Sequence, residues 1–143
     1  VVWNFRLRRA VELKTRYLRE SEQKFKTIFD QSYEFIGLMS PDGTLLDANH
    51  TAIKFSGQTI ETLLNRPFWE TAWWQHSAES QSQLRHEIER AASGKIVHFE
   101  ATNCAADGSI HTFDISITPL FDENGQVTLL IPEGRDISER KVM

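Results

Sequence analysis

Three dipeptides constrain this chain more than any other feature: Asp42-Gly43, Asp107-Gly108 and Asn124-Gly125. Glycine tolerates a positive φ, so each marks a hairpin wherever it separates short runs of alternating character. Around the first lie residues 35–40 and 44–48, around the second 96–105 and 110–120, and after the third 127–131. These runs predict five antiparallel strands. In the fourth, Phe113, Ile115 and Ile117 alternate with Thr112, Asp114, Ser116 and Thr118; in the third, Val97, Phe99 and Ala101 do the same. That is the period of a sheet with one face buried.

Between the second and third strands the chain carries almost fifty residues of helical signals, which cover the sheet's buried face. Asn49 caps a short helix through Ala52 and Phe55 that Gly57 ends, and Thr59 caps another through Ile60, Leu63 and Leu64, ended before Pro67. Ser77 opens a longer helix with Leu84, Ile88 and Ala91 on one stripe and Gly94 at its end.

The N-terminal segment has a different period. Leu7, Val11, Lys14, Leu18, Ser21, Phe25 and Ile28 step alternately by four and three, a heptad seam with two polar breaks. One long helix follows from this spacing. It either pairs with a second copy as a parallel coiled coil, with Leu7, Val11, Leu18 and Phe25 in the seam, or folds back amphipathically on its own core. Val1, Val2, Trp3 and Phe5 ahead of Arg6, Arg8 and Arg9 read as the cytoplasmic end of a membrane segment, with the positive charge inside. Expected is a fragment of a larger protein at the cytoplasmic side of the cell membrane, with a signalling helix over 1–19 and one domain over 20–141.

A net charge of -4 argues against nucleic acid as a partner, and a single cysteine, Cys104, forms no intramolecular disulfide, which suits a reducing compartment.

The order β-β-α-α-α-β-β-β resembles the PAS fold, and the resemblance runs from about residue 20 to the end. Its local carriers are 20–25, Pro41-Asp42-Gly43 with Asp47-Ala48-Asn49, and above all Gly134-Arg135-Asp136-Ile137-Ser138-Glu139-Arg140-Lys141, similar to the family's closing Asp-Ile-Thr-Glu-Arg-Lys signature. Phe68-Trp69-Glu70-Thr71 with Trp73-Trp74 looks like a subgroup found in bacterial sensor kinases and cyclic-dinucleotide enzymes. The resemblance implies an α+β domain, a five-stranded antiparallel sheet with helices on one face behind a long N-terminal helix. It also implies a sensory relay in a homodimeric signalling protein, with an effector, a histidine kinase or a cyclic-di-GMP enzyme, further along the same chain. In that role Asp136, Ser138 and Arg140 form the signal-relay junction; the alternative is a ligand-free dimerisation spacer.

No Gly-x-Ser-x-Gly elbow, His-Glu-x-x-His pair or Walker-type loop occurs in the sequence, so no residue is assigned to catalysis. Glu87 and Glu89 are expected to pair with Arg85 and Arg90 on a helix surface. A flavin-reactive cysteine of the LOV type is missing from 65–69, and no set of His, Cys and acids has metal-ligand spacing. Haem is disfavoured because His86 lies off the apolar stripe, although His76 reaches inward from a loop; His98 and His111 are expected to be superficial. The aromatic cluster either fills the core or walls a pocket for a small organic molecule or a non-covalently held flavin. Its candidate lining is Ile36, Leu38, Phe55, Leu64, Phe68, Trp69, Trp73, Trp74, His76, Phe99, Phe113, Ile115 and Leu129.

Overall fold

A computed structural model describes residues 2–139; Arg140 lies outside the described residues, as does the side chain of Trp3. The elements are α1 (Val2–Gln31), β1 (Phe35–Met39), β2 (Leu45–Ala48), α2 (His50–Ser56), α3 (Ile60–Leu63), a single 3-10 turn (Phe68–Glu70), α4 (Ala78–Ala92), β3 (Val97–Cys104), β4 (Ile110–Phe121) and β5 (Val127–Asp136). The strands form one antiparallel sheet in the order β2-β1-β5-β4-β3, so the last strand enters at the centre.

Each hairpin turn repeats one device. An aspartate oxygen accepts a backbone N–H two residues on: Asp42 from Thr44 at 3.0 Å, Asp107 from Ser109 at 2.9 Å, Asp122 from Asn124 at 2.8 Å. The following glycine takes φ of 91° at Gly43, 85° at Gly108 and 78° at Gly125. These hydrogen bonds, led by the Ser40 and Ser109 hydroxyls, hold the Asp42 and Asp107 carboxyls below their ordinary range.

The alternation in β4 buries Phe113, Ile115 and Ile117 on the face that α4 covers with Leu84, Ile88 and Ala91. Ser77 caps α4 through the Ser80 amide, and Asn49 caps α2 through the Ala52 amide; Thr59 holds the cap position of α3 without a side-chain bond. Glu87 differs from its surface expectation: it is buried beside the apolar stripe and pairs with Arg90 at 2.9 Å.

β5 runs five residues beyond its expected end at Ile131. Pro132 and Gly134 read as breakers, yet both sit on the buried face and complete the packing. The Pro132 ring occupies space that a Cβ on Gly37 would contest at 3.2 Å, and a Cβ on Gly134 would meet the Phe113 ring at 3.3 Å. The ladder to β4 passes unbroken through Pro132, paired with Ile117, while pairing to β1 lapses between Ile36↔Glu133 and Met39↔Leu130. The missing proline N–H is absorbed at that lapse.

Helix α1 does not fold back. Every residue from Asn4 to Ile28 is exposed, and burial begins at Phe29, which is 5% exposed. No helix among the described residues is long and apolar enough to cross a membrane.

Candidate functional site

At the arriving end of the domain, a single side chain ties three elements together. Asn49 is fully buried, and its amide donates to the Phe29 carbonyl at 2.9 Å and the Glu34 carbonyl at 2.8 Å. Its Oδ1 accepts from the Ile36 and Ala52 amides, each at 3.2 Å, and its backbone N–H donates to the Ile36 carbonyl at 2.8 Å. Two donors and two acceptor directions are thereby all used. The Thr51 hydroxyl adds a bond to the Ser32 carbonyl at 2.6 Å. The end of α1, the start of β1 and the first turn of α2 are thus held by one residue, which the sequence marked as a helix cap and as part of the Asp47-Ala48-Asn49 resemblance but not as a link to α1.

The departing end lies next to it. Phe35 pairs with Gly134 and Ile36 with Glu133, so the strand fed by α1 hydrogen-bonds directly to the strand that leaves the domain. Beyond it, Asp136 Oδ1 accepts from the Ser138 amide at 2.9 Å and the Ser138 hydroxyl at 2.6 Å, while Ser138 Oγ accepts from the Thr112 amide at 2.9 Å. Partial burial would raise the Asp136 carboxyl, but the two Ser138 bonds and a contact with His111 outweigh it, and the carboxyl is held below its ordinary range. Asp136 and Ser138 are therefore bonded to each other, and Ser138 to the Thr112 amide on β4.

His111 is not superficial. It is in phase with Phe113 and Ile115 rather than against them, half-buried, with its ring edge-on to Phe55 at 5.1 Å and Nδ1 2.6 Å from Asp136 Oδ2. His98 is exposed on the opposite face against Asp114, and His86 is exposed on α4.

The aromatic cluster closes over the sheet with little space left. A cavity of about 40 Å³ is lined by the candidates Ile36, Phe68, Trp73, Trp74 and Ile115, joined by residues such as Phe35, Leu45, Ala52 and Asn103. Phe55, Leu64, Trp69, Phe99 and Phe113 pack in the surrounding core without lining it, whereas Leu38 and Leu129 alternate away from the core positions Met39 and Leu130. His76 Nε2 is 2.8 Å from the Thr102 hydroxyl on β3. Trp73 Nε1 donates to the Ala52 carbonyl at 2.9 Å, while Trp74 Nε1 and His76 Nδ1 are buried without a protein partner. Trp69 lies over Gly43, and the Arg85 guanidinium sits 5.1 Å from its ring centre. Among the described residues there is no group of three or more His, Cys, Asp or Glu able to hold a metal ion.

The family model described as the PAS fold matches residues 29–142. Hybrid signal transduction histidine kinase D of Dictyostelium discoideum is 30% identical over 129 residues, 89% of this chain and 8% of that protein. Sensor histidine kinase TmoS of Ectopseudomonas mendocina is 34% identical over 122 residues, 84% of this chain and 12% of that one. The chain thus spans about a tenth of the length of these curated relatives. The crystal structure of a PAS domain from Colwellia psychrerythraea superposes with a TM-score of 0.69 at 20% identity, covering 82% of this chain and 98% of that one.

Proposed function

The chain belongs to the PAS-fold family, its curated relatives are sensor histidine kinases, and from that premise we propose that this signal-transduction domain relays the state of α1 to an effector beyond β5. The observation that carries the reading is the register Phe35↔Gly134. A shift of α1 acts on Asn49 and β1, and β1 shares a ladder with the strand that ends at Asp136. Two arrangements of that junction, favoured unequally by two positions of α1, supply the differential interaction that a relay requires.

Two copies are proposed to pair in parallel through α1. Leu7, Val11, Leu18 and Phe25 are 58%, 56%, 59% and 54% exposed on the single chain, an apolar seam that a second helix covers. A membrane segment upstream of α1 and a histidine kinase downstream complete the proposed parent protein. The core cavity favours input through α1 over input through a ligand bound in the core: 40 Å³ is far below the roughly 300–1,000 Å³ of drug-sized sites. A core ligand on that scale has to displace the indoles.

The test is Asp136→Ala in the full-length protein, with effector activity and thermal stability measured together. The relay reading expects altered activity or stimulus response in a folded protein. Wild-type output in a folded variant refutes it. Leu18→Glu, followed by sedimentation, addresses pairing: a shift toward monomer is expected, and an unchanged dimer places the interface elsewhere. Native mass spectrometry of the purified domain separates the two inputs, since a retained organic molecule overturns the preference for α1.

A further inference from the structure

The polar groups from the Asp107-Gly108 turn to the end of β5 form one chain through His111. Ser109 Oγ lies 2.5 Å from Asp107 Oδ1 and 2.8 Å from His111 Nε2, and His111 Nδ1 lies 2.6 Å from Asp136 Oδ2. In the arrangement where the Ser109 hydroxyl donates to Asp107, proton accounting assigns the roles. Asp107 and Asp136 are held as carboxylates and only accept. The single Ser109 hydroxyl proton is spent on Asp107, so Ser109 Oγ must accept from Nε2–H, and Asp136 must accept from Nδ1–H. In that arrangement both ring nitrogens donate at once, which only an imidazolium does.

The groups facing the ring agree. Asp107 faces it from the turn, Asp136 from β5, the apolar Phe55 from α2 and the uncharged Asn103 from the register partner position on β3. We propose that His111 is a proton-dependent positioning residue of the departing junction. As an imidazolium it clamps Asp136 and the turn together; after losing a proton it keeps both partners only if the Ser109 hydroxyl turns from Asp107 to donate to Nε2, and otherwise it releases one of them. This rests on the relay reading above for its consequence to output, though not for the hydrogen-bond switch itself. The ring also links the junction to the core: Phe55 lies 4.9 Å from Phe35, which lines the inner cavity and pairs with Gly134.

The experiment is a nitrogen-15 NMR titration of this chain between about pH 5 and 8, the interval in which histidine side chains change charge. The expected result is that the Ser109 and Ser138 amide resonances shift with the same midpoint as the His111 ring nitrogens. In His111→Gln, which can donate but carries no charge, those shifts vanish, while in the His98→Gln control they persist. Amides that ignore the His111 titration overturn the proposal in the wild-type chain alone, whether or not the variant folds. In the full-length protein, output is expected to change about fivefold or more across the same titration and to flatten in His111→Gln. If the amides are coupled as expected but output is equally pH-dependent in that variant, the switch stands and the relay reading is what fails.

Discussion

Replacing Asn49 by alanine removes every hydrogen bond that its side chain makes at the arriving junction. The Ala52 amide loses its cap, which costs about 1 kcal/mol. The Phe29 and Glu34 carbonyls and the Ile36 amide lose partners 2.9, 2.8 and 3.2 Å away, and each such group costs about 1–3 kcal/mol if it stays dry. Solvent entering the space left by the amide reduces that sum, so a loss of about 3–4 kcal/mol is expected. For 143 residues this lowers the melting temperature by roughly 10 °C. Urea unfolding measures it, with the midpoint moving at an unchanged slope. Asn49→Asp sharpens the test, because it keeps the acceptor for Ile36 and Ala52 but turns a carboxylate toward two carbonyls. Burial and those carbonyls raise the introduced carboxyl in the folded state, so the variant gains stability as pH falls through that raised value toward the unfolded one. An Asn49→Ala loss below about 1 kcal/mol refutes the hub and leaves only a helix cap.

Gly43→Ala places a Cβ at φ 91° and 2.6 Å from the Trp69 ring, and is expected to cost about 2–4 kcal/mol with a change in tryptophan emission. Gly108→Ala, at φ 85° with nothing within 4 Å, costs only the backbone share of about 1–2 kcal/mol; equal losses in the two variants contradict the packing account. The lowered Asp136 carboxyl stabilises the fold above its unfolded value of 3.8, and that contribution is lost as pH falls through the still lower folded value. Asp136→Asn is accordingly expected to flatten the acid side of a melting-temperature profile, by one share among those of Asp42 and Asp107, and an identical acid limb in both proteins argues against it.

Legibility along the chain followed the range of the interaction. The Asp-Gly turns, the Phe113-Ile115-Ile117 alternation and the Leu84-Ile88-Ala91 stripe are properties of neighbours a few residues apart, and all three stand where the sequence put them. Pro132 and Gly134 failed as breakers because their use depends on Gly37 and Phe113, distant in sequence. His111 is half-buried rather than superficial, and counting back by twos from Phe113 places it on the core face of β4.

Local periodicity and turn chemistry thus determined the strands, the covering helices and the α1 helix, while the closing Asp136-Ile137-Ser138 motif was legible only through its resemblance to a family signature. Only the tertiary structure decided that β5 inserts between β1 and β4, that the indoles leave a cavity of about 40 Å³, and that Asn49 reaches Phe29 across twenty positions. The physical reason is that backbone preference acts between residues near in the chain. The matching of buried donors to acceptors and of ring to cavity is settled only when remote segments exclude water together.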